Sequence, residues 1–124
     1  MKKTGRILIA LFVTIMITSA FIIPDGTPLN DPPTNIPDSV WAIFEISCYD
    51  CHSNDGNGMA KAKLNFDKWN SYSPEKQLKK ATNICQAMQD QKMPPSKYLK
   101  KNPDVAPSVA EVIRVCNWLG EIEK

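Results

Sequence analysis

The sequence predicts an all-α domain, and three observations carry that prediction. Apolar residues recur at helical spacing in three separate segments. Two of those segments open with helix-start chemistry, Ser73-Pro74-Glu75 and Ser108-Val109-Ala110-Glu111. No run alternates with the period of two that a half-buried strand requires. A chain of 124 residues holds one such domain, expected over 38–124 once its N-terminal stretch is set aside.

That stretch has an organisation of its own. Lys2, Lys3 and Arg6 precede an uncharged apolar run from Ile7 to Ile23. A basic head followed by an apolar run is an export signal, so residues 1–23 are expected to be a signal peptide or a membrane anchor. Thr18-Ser19-Ala20 offers a small-residue cleavage site, but the apolar run reaches the roughly 17 residues that can span a bilayer. The length favours a retained anchor over a cleaved signal. Either outcome places the domain outside the cytoplasm, on the periplasmic side of the membrane. Residues 24–37 carry Pro24, Pro28, Pro32, Pro33 and Pro37, which reads as an extended linker. An ordered arm lying across the domain is the alternative.

Within the domain, Asp38 is placed to cap a first helix bearing Val40, Trp41, Ile43, Phe44 and Cys48 on one face. That helix is expected to run directly into Cys48-Tyr49-Asp50-Cys51-His52. Ser53-Asn54-Asp55-Gly56-Asn57-Gly58 is a loop signal, and Met59 to Trp69 reads as a short helix plus a turn. Ser73 caps a helix with proline at its first position, and Leu78, Ala81, Ile84, Cys85 and Met88 mark its inward face. Met93-Pro94-Pro95 ends it, because proline holds the preceding residue extended. The capping box at Ser108–Glu111 opens the last helix, with Val109, Val112, Ile113, Cys116, Leu119 and Ile122 expected to face inward.

Charge narrows the function classes. A formal net charge of +2 gives no reason to expect a nucleic-acid partner. Lys76, Lys79, Lys80, Lys92, Lys97, Lys100 and Lys101 nevertheless gather in the second half of the domain, opposed there by Glu75 and Asp90. They could steer an acidic partner, or form no more than a solvated surface.

The chemistry concentrates at Cys48, Cys51 and His52, the C-x-x-C-H signature of covalent haem attachment. On a helical turn, cysteines three residues apart share a face, so both thiols can reach the two vinyl groups along one porphyrin edge. The histidine that follows can then supply a proximal nitrogen to iron. The rival readings are weaker. A thioredoxin-like pair needs a βαβ setting, a zinc site needs four ligands, and a disulfide at this spacing would be cramped. His52 is the chain's one histidine, which excludes two histidine ligands from one molecule. Outside the leader, Met59, Met88 and Met93 remain as candidates for the sixth iron position. Met88 sits at core spacing and Met59 follows His52 too closely to cross to the other haem face. Met93 lies in an interhelical loop stiffened by Pro94 and Pro95, and is the expected distal ligand.

The order of these pieces, from the first helix and Cys48-Tyr49-Asp50-Cys51-His52-Ser53 through Leu64-Asn65-Phe66-Asp67-Lys68-Trp69 and Lys92-Met93-Pro94-Pro95-Ser96-Lys97-Tyr98 to a capped helix with Trp118, resembles class I c-type cytochromes. The likeness is greatest to the short haem-binding-domain family of exported and membrane-anchored proteins, and spans nearly all of 38–118. It implies one haem c wrapped by a few helices, crossing terminal helices, and Met93 as distal ligand by position.

Cys85 and Cys116 are not part of that pattern. They fall on the inward faces of the two best-defined helices, so either a disulfide or two buried thiols is expected. Trp41, Trp69, Trp118, Phe44 and Phe66 are expected to wall the haem pocket or to serve as ordinary core. Tyr49 and Asp50 are expected to face solvent. The function expected is electron transfer between redox proteins at the membrane, with no enzymatic step. The alternatives are a haem sensor or small catalytic site with an exchangeable sixth ligand, and a haem subunit of a larger membrane complex.

Overall fold

The computed structural model describes residues 32–122 and 124. Six α-helices form in this span: α1 (Asp38–Ser47), α2 (Tyr49–His52), α3 (Gly58–Lys63), α4 (Pro74–Gln89), α5 (Ser96–Leu99) and α6 (Val109–Ile122). Single 3-10 segments at Phe66–Ser71 and Pro103–Val105 complete the order, and the described residues contain no strand. The all-α architecture expected from the caps and periodicity is the one observed. The expected leader over 1–23 and the first part of the linker lie outside the described residues. None of the described helices is long and apolar enough to cross a membrane.

Local chemistry explains where the long helices start. Ser73 accepts a hydrogen bond from the Lys76 amide, and Pro74 occupies the first turn of α4, where its missing N–H costs nothing. At α6 the Ser108 amide donates to Glu111 Oε2 at 2.7 Å while the Glu111 amide donates back to Ser108 Oγ at 3.3 Å, a reciprocal capping box. The start of α1 differs from expectation. Pro37 is its N-cap, with no side-chain cap, and Asp38 stands inside the first turn. There its carboxylate faces the positive end of the helix dipole instead of an individual amide.

α4 packs on α6, and α6 packs on α1. Val112, Leu119 and Ile122 of α6 pack against the core as their spacing predicts and Cys116 bonds to α4, but Val109 and Ile113 do not follow. Val109 is 78 % exposed and Ile113 is 54 % exposed, whereas Val115 and Trp118 are buried. Trp118 extends the inward face beyond the expected stripe: its ring contacts Phe44 at 5.7 Å and Trp69 at 5.9 Å. Cys85 of α4 and Cys116 of α6 are joined in a disulfide with Cα atoms 5.1 Å apart. Closing a loop between residues 31 apart in sequence contributes about 3–4 kcal/mol in the chain-entropy account.

Residues 32–37 are packed structure, where the sequence predicted the end of a linker. Ile36 is buried, the Thr34 carbonyl accepts from Trp69 Nε1 at 3.2 Å, and the Asn35 carbonyl accepts from Trp118 Nε1 at 2.9 Å. Two buried indoles need acceptors, and a proline-rich arm has free carbonyls to offer. Asn35 reaches its position at φ 67°, a left-handed conformation that asparagine tolerates better than most residues. A chain beginning at Asp38 is therefore expected to lose roughly 2–6 kcal/mol from the two unsatisfied donors alone. Comparing denaturant midpoints of chains beginning at Asn30 and at Asp38 checks this. Equal midpoints would remove the arm from the fold.

Candidate functional site

α1 does not run straight into the cysteine motif. Its last residue is Ser47, and Cys48 breaks the helix at φ −128° and ψ −36°. The chain recovers at once: the Cys51 and His52 amides both donate to the Cys48 carbonyl, at 3.1 and 3.0 Å. Cys48 and Cys51 thus sit one turn apart, both with free thiols and both half-buried. Burial, with Cys51 close by, pushes the Cys48 thiol up to about 12. The Cys51 thiol is also raised, by burial and then by the Asp50 carboxylate. A dithiol poised for disulfide exchange is shifted the other way, toward the thiolate. Cys85 and Cys116, bonded to each other, offer no further thiolates for a zinc site.

The loop after His52 turns back so tightly that Gly56 lies against the motif. A Cβ at Gly56 would stand 2.3 Å from the Cys51 carbonyl oxygen and 2.5 Å from its carbon. That neighbour is backbone, so it cannot swing away. Gly56→Ala is expected to destabilise the domain by about 1–3 kcal/mol, as overpacking does. Gly58→Ala is the control, because a Cβ there meets nothing within 4 Å. Paired thermal melts would show the difference, and equal losses would refute the steric account.

Four residues in sequence, Leu64 to Asp67, brace the motif from one side. His52 Nδ1 lies 3.0 Å from the Leu64 carbonyl oxygen. A carbonyl can only accept, so Nδ1 carries the proton and Nε2 keeps its lone pair free for a metal. Asn65 Nδ2 donates to Asn54 Oδ1 at 2.9 Å, and the Asn54 amide donates to Asp67 Oδ2 at 2.6 Å. Tyr49 donates its hydroxyl to Asp67 Oδ1 at 2.5 Å and packs edge-on against Trp41. Tyr49 therefore turns inward, contrary to expectation, and the bond to Asp67 raises its hydroxyl to about 12. Asp50 is exposed as expected, and accepts from the Tyr98 hydroxyl at 2.9 Å. The Leu64 carbonyl carries no side-chain signature in the sequence. Asp67 and Asn65 do, as polar residues flanking the buried Phe66.

Cys48, Cys51, His52, Met59, Met93 and Pro94 all border one cavity of about 350 Å³. A groove of about 730 Å³, lined by Ile36, Pro74, Leu78 and Trp118 among others, is larger. It borders no imidazole, thiol or thioether, so size alone does not locate the chemistry. Met88 is buried in the core, as its helical spacing predicted. Met59 is 78 % exposed and Met93 39 % exposed at the cavity, so both thioethers stand there. None of Trp41, Phe44, Phe66, Trp69 and Trp118 borders it. These five rings pack on one another as core, and the ring at the cavity is Tyr98. Lys63 lines the cavity, and none of Lys76, Lys79, Lys80, Lys92, Lys97, Lys100 and Lys101 does. Lys76 and Lys80 lie over the Tyr72 ring, at 4.6 and 5.6 Å, and Lys92 pairs with Asp90 at 2.9 Å.

This donor set fits a haem. One imidazole with its second nitrogen already bonded, two free thiols a turn apart and a thioether on a separate loop converge on one largely apolar space. A family model described as a haem-binding domain matches residues 58–121, the segment from α3 through α6 that follows the cysteine motif. Comparison with curated proteins and with solved structures returns no significant match.

Proposed function

The chain belongs to the haem-binding domain family, and from that premise we propose that it is a single-haem c-type cytochrome carrying electrons outside the cytoplasm. Cys48 and Cys51 would hold the haem through thioethers, His52 Nε2 would ligate the iron, and Met93 would take the opposite position. Bound there, the haem would supply a one-electron ferrous–ferric couple. The protein's part would be to hold the imidazole through the Leu64 carbonyl and to offer the Met93 thioether from a separate loop, a role that requires no substrate. One observation carries the reading: the Leu64 carbonyl fixes the His52 tautomer beside the cavity that both free thiols border.

The basic head and apolar run of residues 1–23 support export and a retained anchor on the periplasmic side of the membrane. Redox proteins or a membrane respiratory or photosynthetic complex are the partners this implies. The test is the mass of protein matured in a haem-attaching, oxidising compartment, together with a denaturing gel stained for haem peroxidase activity. One haem surviving denaturation supports the proposal; haem stripped by acid and organic solvent overturns it. A sensor or small catalytic site is the second reading. It is favoured by the place of Met93 between α4 and α5 and outside any helix, where movement of the loop would vacate the position.

A further inference from the structure

The segment that bears Met93 leaves α4 abruptly. Gln91 takes φ 54°, the Lys92 and Met93 amides both close on the Ala87 carbonyl at 2.9 and 3.2 Å, and the chain then runs through α5 and the Pro103–Val105 turn to α6. α5 and that turn pack on each other. Two side-chain hydrogen bonds tie this segment back to the motif. Ser47 Oγ donates to the Val105 carbonyl at 2.8 Å, and the Tyr98 hydroxyl donates to Asp50 Oδ2 at 2.9 Å.

The anchor points have a common place in the sequence. Ser47 immediately precedes Cys48, and Asp50 immediately precedes Cys51. Ser47, Asp50 and Tyr98 all border the same cavity as the cysteines and Met93. Ser47 is itself buried, so its hydroxyl has little access to solvent as an alternative partner. The attachment motif is thus held on both sides: by Leu64 to Asp67 on one, and by the Met93 segment on the other.

We propose that Ser47 and Asp50 are positioning residues, which with the Val105 carbonyl and Tyr98 form a clasp holding the Met93 segment closed over the cavity. The clasp decides how often the sixth iron position opens. This rests on the haem reading above and deepens it, since it names the contacts that separate an electron carrier from a ligand-binding haem. Met93 itself is on a short loop between α4 and α5, so the position of its thioether follows that loop. Fastening the loop to the residues beside the two cysteines couples its closure to the part of the chain the haem would also bind. An external ligand reaches the iron only in the open population, so its binding rate reports that population directly.

The experiment uses the full-length, haem-loaded protein and its Ser47→Ala/Tyr98→Phe variant. Covalent haem is verified first by intact mass. The readouts are the far-red sulfur-to-iron band of the ferric form and the rate of carbon monoxide binding to the ferrous form. With both bonds removed, carbon monoxide is expected to bind about tenfold faster, the change that a shift of about 1.4 kcal/mol in the closing equilibrium produces. The far-red band should weaken, and hydrogen exchange should accelerate over residues 92–107 but not in α4 or α6. Asp50→Ala should act in the same direction, whereas Asp50→Asn keeps an acceptor for Tyr98 and should restore slow binding. If the unmutated protein shows the band and the double variant keeps both the band and slow carbon monoxide binding, the clasp is refuted and the haem reading stands. Absence of covalent haem, or of the band, in the unmutated protein defeats the reading beneath it, and the clasp falls with it.

Discussion

Replacing Cys48 and Cys51 together by serine is expected to abolish covalent haem completely, while leaving the helical core folded. Both thiols border the cavity, and neither serves as a core contact on the scale of Phe44 or Trp69, which are fully buried. Serine keeps the size of the side chain and removes the sulfur that a thioether needs. His52 remains, with its Nδ1 still donating to Leu64, so some haem can associate through the iron alone. That haem should leave in acid and organic solvent, whereas haem in the unmutated protein should not. The single variants are expected to be intermediate, each retaining one thioether. Intact mass and the haem-stained denaturing gel read all four proteins in one experiment. A double-serine protein that still carries haem through denaturation would show that attachment lies elsewhere.

The second large effect is expected at Met93. Met93→Ala should abolish the far-red sulfur-to-iron band, open the ferrous iron to carbon monoxide, and lower the reduction potential, because a thioether favours ferrous over ferric iron. The comparison with the other two methionines makes the result specific. Met59 also borders the cavity but is 78 % exposed, and Met59→Ala should leave the band unchanged. Met88 is 4 % exposed in the core, so Met88→Ala should cost about 2–5 kcal/mol of stability without touching the band. Should Met59→Ala be the variant that removes the band, the sixth ligand is assigned to the wrong loop. If the unmutated protein lacks the band and binds carbon monoxide rapidly, the sensor or catalytic reading moves ahead of electron transfer.

Much of this molecule was legible in its local sequence. Ser73-Pro74-Glu75 and Ser108–Glu111 mark helix starts because the groups that satisfy a first turn lie within three residues of it. Cys48, Cys51 and His52 could be read as one site for the same reason: their chemistry depends on spacing along a single turn. Met88 was recognisable as core from helical spacing alone, and Met93 as a loop residue from the prolines that follow it.

The tertiary structure decided what depends on partners distant in sequence. Tyr49 packs its ring against Trp41 and gives its hydroxyl to Asp67, eighteen residues on, although Asp50 is its neighbour in sequence; only the fold decides which carboxylate it meets. Residues 32–37 pack on the domain, where two buried indoles take the Thr34 and Asn35 carbonyls as acceptors. On α6 the stripe of Val112, Leu119 and Ile122 faces the core as read, while the burial of Val115 and Trp118 and the exposure of Val109 and Ile113 depend on where Phe44 and Trp69 stand. The orientation of His52 rests on the backbone carbonyl of Leu64, a group every residue carries and no side chain announces. Periodicity and caps are properties of neighbouring residues and can be read one turn at a time. A residue's burial, a tautomer or a packed arm is a property of the assembled core, settled only when each buried polar group has found its partner.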